Sequence, residues 1–371
     1  MRIRVEIRDR SFNMVEIPDK EYLDLSWGYA RIGGCGEFSF RLPRRLFEER
    51  AISGGYNVRI KYRNPSTNTY DLWYQGLIEN KVPNVKGNTE DIQISGHGYQ
   101  SQLSNIYLDD VTYTAQEASV IVKSILDNYV TPDTDISYNI GDLEATTFTF
   151  DTITFNTDAL SALQTIADTV GTREWGVNAD RDFIFKTRSD TVGFRYSFGR
   201  NITDYSENQD YKQIINRIIV QGAQVGGTYY KSTHNNTASQ LKYGLKTSTI
   251  QNSSVVSSAV ATQLASATFA EFSDAVIKTT FSLVGSEVRI EETTPIPLVN
   301  ILVKQDKYGE KRYGEGIYSG LVNAVINRIN YTYSNNGTLK TNIDLGKVRP
   351  AISEAIAQLE YQIEQQRSAA L

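Results

Sequence analysis

Cysteine, histidine and methionine are scarce in this chain, with one, two and two copies among 371 residues. The lone cysteine, Cys35, excludes an internal disulfide framework and any multi-cysteine zinc site. It reads as a small buried residue rather than a nucleophile. The histidines, His97 and His234, lack His-Glu-x-x-His or His/Cys spacing, so no zinc site is expected. No run of about 18 apolar residues occurs, and no membrane span is expected. The opening Met1-Arg2-Ile3-Arg4-Val5-Glu6-Ile7 alternates charge with apolar residues, which reads as a strand and not as the apolar core of a signal peptide. Without a secretory route the sequon Asn336-Gly337-Thr338 carries little meaning. The net charge of −5 argues against a general nucleic-acid binder, which would present a basic face.

Catalytic motifs are equally thin. No Gly-x-Ser-x-Gly occurs; Gly316-Ile317-Tyr318-Ser319-Gly320 has its serine one place late. Gly33-Gly34-Cys35-Gly36 lacks the Lys-Ser/Thr of a phosphate loop and leads into a strand. Asp133-x-Asp135 and Asp180-x-Asp182 lack the rest of a calcium loop. The carboxylate pairs Asp109-Asp110, Glu291-Glu292 and Asp180/Asp182 are of the type that cleaves glycosides. Pairs close in sequence often point apart, however. No catalytic, cofactor or metal-binding residue is assigned, and the chain is read as a non-enzyme without cofactor.

What the chain has is strand pattern. Tyrosine is used 23 times, and Tyr, Thr, Val and Ile favour strands. Ile3, Val5 and Ile7 alternate with charged residues, as do Phe38, Phe40 and Leu42, and Val58, Ile60 and Tyr62. Period-2 alternation puts one set on a core face. Gly33-Gly34, Gly54-Gly55 and Asn64-Pro65-Ser66 are expected to separate these strands. Thr114-Ala115-Gln116-Glu117 fits a capping box ahead of an apolar stripe, Ala118, Ile121, Val122, Ile125, Leu126 and Tyr129, with Pro132 past its end. A second helix is predicted through Leu160, Leu163, Ile166, Ala167 and Val170, closed by Gly171. Trp175 and Phe183-Ile184-Phe185 complete this section. Strand pattern resumes at Ile214–Gly222. Residues 253–272 read as a helix capped at Ser253 or Ser254 with Val256, Val260 and Leu264 on one side, and Val288 and Ile290 read as strand-like.

One motif occurs twice, 244 residues apart: Tyr74-Gln75-Gly76-Leu77-Ile78 and Tyr318-Ser319-Gly320-Leu321-Val322. Each copy leads into a strand, a polar turn and a return strand. The turns fall at Lys86-Gly87-Asn88 and Asn335-Asn336-Gly337, and the returns end near Gly96 and Gly346. Two such units predict a duplicated β module. The chain ends in a predicted helix from Pro350, whose Ile352, Ile356, Leu359 and Ile363 make a heptad seam. Two heptads are too short to stand alone in water. The helix therefore packs on its own domain or meets its symmetry mates, and these four residues are the candidate oligomer interface.

Assembled in order, the segments resemble the phage tail hub family: the contractile-phage baseplate hub and the N-terminal hub region of siphophage tail-associated proteins. The likeness rests on Phe38–Pro43, Tyr74–Ile78, Ile92–Leu103, the Thr114 helix with Asn156–Lys186, Asn216–Gly222, and Leu345-Gly346-Lys347 before a terminal helix. It implies a β-rich α+β fold with two tail-tube-like antiparallel β-barrel modules. Residues 1–107 would form the first module and 201–227 plus 299–347 the second. α+β inserts would occupy 108–200 and 228–298, and residues 348–371 a C-terminal helix. The resemblance further implies a homotrimer closing a pseudo-sixfold ring between a hexameric tail tube or distal tail protein and a trimeric tip, spike or fibre. DNA would pass an acidic lumen without sequence-specific binding. Such a chain would be made in the host cytoplasm and sit at the distal tail tip or baseplate of the virion. Two rival readings stay open: a receptor- or carbohydrate-binding tail protein, from the tyrosines, and a cell-wall glycan hydrolase, from the carboxylate pairs.

Overall fold

The computed structural model describes residues 2–15, 22–86, 89–170, 173–197, 201–225, 228–251, 258–274, 276–284, 290, 295–302, 321–334 and 336–346. Several predicted features lie outside these residues: Tyr318-Ser319-Gly320, Gly87-Asn88, Asn335, Gly171, Ser253, Ser254, Val256, Val288, the Glu291-Glu292 pair, and the terminal helix with Ile352, Ile356, Leu359 and Ile363.

The fold is α+β and rich in strands. The chain begins with β1 (Ile3–Arg8), β2 (Met14–Val15), β3 (Leu23–Ala30), β4 (Ile32–Pro43), helix α1 (Arg44–Glu49), β5 (Asn57–Arg63), β6 (Tyr70–Lys86) and β7 (Thr89–Gly98). Then come β8 (Tyr107–Glu117), α2 (Ala118–Ile125), β9 (Thr149–Asp158), α3 (Ala159–Val170), β10 (Arg173–Val177) and β11 (Phe183–Thr187). The remainder holds β12 (Val192–Ser197), β13 (Ile202–Asp210), β14 (Arg217–Val225), β15 (Thr228–Asn235), α4 (Thr237–Tyr243), β16 (Thr247–Gln251), α5 (Ser258–Phe272), β17 (Val276–Val284), β18 (Leu298–Leu302), β19 (Leu321–Tyr333) and β20 (Leu339–Gly346).

The duplication is visible in the strand order. In the first half neighbouring strands run β3-β4-β7-β6-β5-β1. In the second they run β13-β17-β20-β19-β18-β12. Taken in chain order, the six strands of one module map one to one onto the six of the other. The two hairpins, β6–β7 and β19–β20, sit at equivalent places, and each carries a bulge, at Glu79 and at Asn327. The last pair differs: β1 runs antiparallel to β5, whereas β12 runs parallel to β18.

The ladders divide the second half otherwise than the sequence pattern predicts. β12, from the 108–200 stretch, and β17, from the 228–298 stretch, both belong to the second module. β14 instead heads a separate three-stranded sheet with β15 and β16. Alternation identifies a strand but says nothing about which sheet receives it. Behind that small sheet α5 buries Ala261 and Ala265 against Ile218 and Val220.

One apolar core runs through both modules, with Leu25, Phe40, Ile329 and Ile343 fully enclosed. A second core fills the unit from Tyr99 to Phe185. There α2 buries Ile121, Val122 and Ile125 completely, each contributing about 1.5–3 kcal/mol. Its cap is not the predicted Thr114. β8 holds Thr114 opposite Thr152 in the ladder, so the chain stays extended until Glu117. The Glu117 carboxylate then accepts from the N–H groups of Ser119 at 3.1 Å and Val120 at 3.3 Å. The Gly33-Gly34 pair likewise does not separate strands. The turn from β3 to β4 falls at Arg31, and Gly34 (φ +79°) lies where a Cβ would stand 2.1 Å from the carbonyl oxygen of Val177. Only glycine lets β10 lie parallel to β4 at this spot.

Candidate assembly site: module joint, polar face and open edges

The two modules meet strand to strand. The outer half of β19 pairs antiparallel with β3, from Arg328 opposite Ala30 to Tyr333 opposite Leu25. Alternation on β3 sends Leu25 and Trp27 to the core side, and Tyr331 meets them from β19. Trp27 stacks on Tyr331 with centroids 5.2 Å apart, and Trp73 of β6 closes edge-on against both, at 5.2 and 4.8 Å. Such ring pairs add about 0.5–1.5 kcal/mol each beyond burial.

A buried charge pair ties the joint to the insert. Arg31, at the β3–β4 turn, donates from Nε to the Ile326 carbonyl at 2.9 Å and from Nη2 to the Ile296 carbonyl at 2.7 Å. Its Nε lies 3.8 Å from Glu174 of β10, which is fully buried and accepts from the Ile296 N–H at 3.1 Å. Burial lowers the Arg31 pKa, although Glu174 opposes this. Burial also raises the Glu174 pKa, with Arg31 opposing. Nothing in the sequence flags either residue, since their partners lie more than a hundred positions away.

The opposite face of the same sheet is polar. Cross-strand rows read Thr332, Ser26, Ser39, Ser95 and Asn80 across β19, β3, β4, β7 and β6. A second row reads Ser282, Asn342 and Asn330 across β17, β20 and β19. Ser282 Oγ donates to Asn342 Oδ1 at 2.7 Å, and Gln93 Nε2 donates to Ser39 Oγ at 3.1 Å. A groove of ≈ 550 Å³ opens over the first row, with Glu37, His97 and Asn330 among its lining residues. Hydroxyls and amides dominate these rows, and charges of both signs stand around them. His97 Nδ1 lies 2.6 Å from Glu79 Oε2 and its Nε2 lies 3.5 Å from Glu37 Oε1. Partial burial pulls the His97 pKa down, but the two carboxylates outweigh it and the net shift is upward.

Several strand edges are open among the described residues, those of β13 and of the outer half of β6 among them. β13 pairs with β17 alone. On its β5 side β6 is bonded as far as Ile78, whose N–H donates to the Tyr56 carbonyl and whose carbonyl accepts from the Gly55 N–H; beyond it β6 pairs with β7 alone. On that stretch Val82 is 51% and Val85 67% exposed. An unpaired edge is a template for another strand.

The remaining sequence candidates have structural roles or stand apart. Tyr74 of the repeated motif is core: burial raises its pKa well above the usual phenol value, and its hydroxyl donates to the Gly36 carbonyl at 2.6 Å. The motif glycine Gly76 faces Gly98, where a Cβ would come 2.5 Å from the carbonyl oxygen of His97. Cys35 is buried. Asp182 accepts from Ser137 at 2.7 Å and Asn139 at 2.9 Å. Asp109 and Asp110 are exposed on β8. His234 Nε2 lies 3.0 Å from Ser232 Oγ. Among the described residues no His/Cys/Asp/Glu group could hold a metal ion, and no helix is long and apolar enough to cross a membrane.

No family model matches the sequence, and no curated protein matches it. Solved structures do. The 43 kDa tail protein of prophage MuSo2 from Shewanella oneidensis superposes with a TM-score of 0.62 at 13% identity, over 93% of this chain and 99% of that one. A tail protein from Neisseria meningitidis MC58 gives 0.62 at 12% identity, over 96% and 99%. Prophage tail protein gp18 from Listeria monocytogenes EGD-e gives 0.53 at 13%, over 97% and 99%. The chain has the fold of these tail proteins along nearly its whole length.

Proposed function

We propose that the chain is a structural hub at the distal end of a phage tail or a related contractile device. Three copies would close a pseudo-sixfold ring that joins a hexameric tube to a trimeric tip. The observation that carries this reading is the doubled six-stranded module, joined edge to edge through β3 and β19. Such a chain presents two similar edges per copy, so a threefold ring can offer six similar faces. The fold shared with prophage tail proteins supports the same reading.

The polar rows suit a channel wall. Duplex DNA is held chiefly through phosphates by Lys and Arg, and loses that hold where fixed positive charge is missing. Rows of serine, threonine and asparagine would let DNA slide without reading its sequence. Such a wall would be mainly neutral, where the resemblance implied an acidic lumen. The tip or spike would attach on one side of the ring and the tube on the other, and the terminal helix with Ile352, Ile356, Leu359 and Ile363 would add to the contact between copies.

The mass of the chain in solution, alone and with tail tube protein, tests the proposal. Three copies per particle, with six-lobed rings in negative stain, are expected. A monomer under all conditions, or a closed dimer, overturns it. Leu359→Asp is expected to weaken the trimer, and an unchanged mass would reject the helix as an interface.

A further inference from the structure

We propose that β13 of one copy adds as a strand to the open edge of β6 in the next, in the register that β3 already takes on β19 within the chain. The pairing specifies the contact inside the ring proposed above and rests on that reading for its stoichiometry. The template is internal. β3 and β13 hold the same place in their modules, and so do β6 and β19. Within the chain β3 covers the outer half of β19. The equivalent half of β6 is uncovered, and β13 has the matching free side.

The ladders fix the register. Ser95 opposes Asn80 just past one bulge, and Asp344 opposes Arg328 just past the other, so Val85 corresponds to Tyr333. Ser95 opposes Ser39, as Asp344 opposes Thr280; Ser26 faces Ser39 and Ser206 faces Thr280, so Ser26 corresponds to Ser206 and Leu25 to Tyr205. Because Tyr333 opposes Leu25, Val85 is to oppose Tyr205 of the next copy, Asn84 its Ser206, and Lys86 its Asp204. One pair of opposite charges is directly opposed in this register, Lys86 with Asp204, while Glu207 and Asp210 would face Pro83 and Asn80 and Lys81 would face Gln209. Opposite charges facing each other across a strand pair are favourable. The addition would also shield Val82 and Val85, now 51% and 67% exposed. Pro83 has no N–H to give, so this joint would hold one hydrogen bond fewer than β3 on β19.

The contact is heterologous, since the β6 edge of one copy meets the β13 edge of another, and such contacts close into a ring when the rotation between copies divides a full turn. Directly opposed residues of an antiparallel pair bring Cα atoms about 4.5–5.5 Å apart, within disulfide reach. The experiment therefore uses Asn84→Cys and Ser206→Cys in the full chain, at surface positions, with Cys35 buried. Under mild oxidation an equal mixture of the two single variants is expected to give covalent dimers, while each alone gives none. The doubly substituted chain is expected to give closed covalent trimers. Asn84→Cys mixed with Thr203→Cys, three residues out of register, is expected to cross-link at least tenfold less. If either variant fails to fold, Val82→Cys with Asn208→Cys reads the same register. A chain that is trimeric by mass but gives no mixed dimer overturns the edge pairing and leaves the hub standing. Dimers from a single variant alone overturn it in favour of a two-fold contact. A monomer without cross-links overturns both.

Discussion

β6 and β19 are the same strand in two copies of one module, yet they end in opposite surroundings. The outer half of β19 lies against β3 and encloses Ile329 and Tyr331 completely. The outer half of β6 has β7 on one side and no strand on the other among the described residues, and Val85 stands 67% exposed. Duplication copies strand order, because hairpins and meanders form from nearby chain. It cannot copy environment. A chain with two modules can cover only one of its two equivalent edges with its own strand.

Substitutions on the two sides should break this likeness in proportion to burial. Trp27→Ala removes a ring stacked in the covered joint, and a loss of about 4 kcal/mol is expected in urea unfolding. Glu174→Gln leaves the buried Arg31 charge without its counter-ion. About 3 kcal/mol should be lost, the low end of the range for broken buried pairs, because two carbonyls still accept from the guanidinium. Replacing both partners by apolar residues, Arg31→Met with Glu174→Leu, should recover much of that loss. Within the insert Glu117→Ala deletes the cap of α2 and should cost about 1 kcal/mol. On the uncovered edge Val85→Ala should change the unfolding of the isolated chain by less than about 0.5 kcal/mol. A larger effect would mean that β6 is already covered.

The smallest expected effect is a pH dependence at His97. Partial burial disfavours its cation, but Glu79 and Glu37 prevail and raise its pKa in the folded chain. A raised pKa stabilises the fold below the unfolded value of about 6.5, and that contribution fades as pH rises through the folded one. An NMR titration of the His97 ring should therefore give a midpoint above about 6.5. Glu79→Gln should bring it down, and an unshifted midpoint in that variant would assign the upward shift to Glu37.

Much of the strand content was legible in the residues. The alternation of Ile3, Val5 and Ile7 marks β1, and all three are buried. The turns between Lys86 and Thr89 and around Gly337 mark the two hairpins. The stripe from Ala118 to Leu126 marks a helix. The cap of that helix was misplaced, because Thr114 fits a capping box locally while β9 holds it in a ladder. Val256 and the side chains of Val260 and Leu264, expected on one side of α5, lie outside the described residues; Ala261, Ala265 and Phe269 are its described apolar contacts with the small sheet. The candidate site was less legible. Neither Arg31 nor Glu174 sits in a motif, and each gains meaning only when Ile296 and Ile326 are folded onto it.

By itself the sequence determined element type and hairpin positions, since side-chain period and turn residues act over a few positions. The repeated motif it offered is not the structural repeat, because the ladders bring Ile78 into register with Ile326, four residues beyond Val322. The folded molecule alone decided which edges are covered. Backbone N–H and C=O groups are alike at nearly every residue, so a strand's partner is chosen by the packing of its faces. β3 finds β19 some three hundred residues away because Trp27, Trp73 and Tyr331 bury one another there.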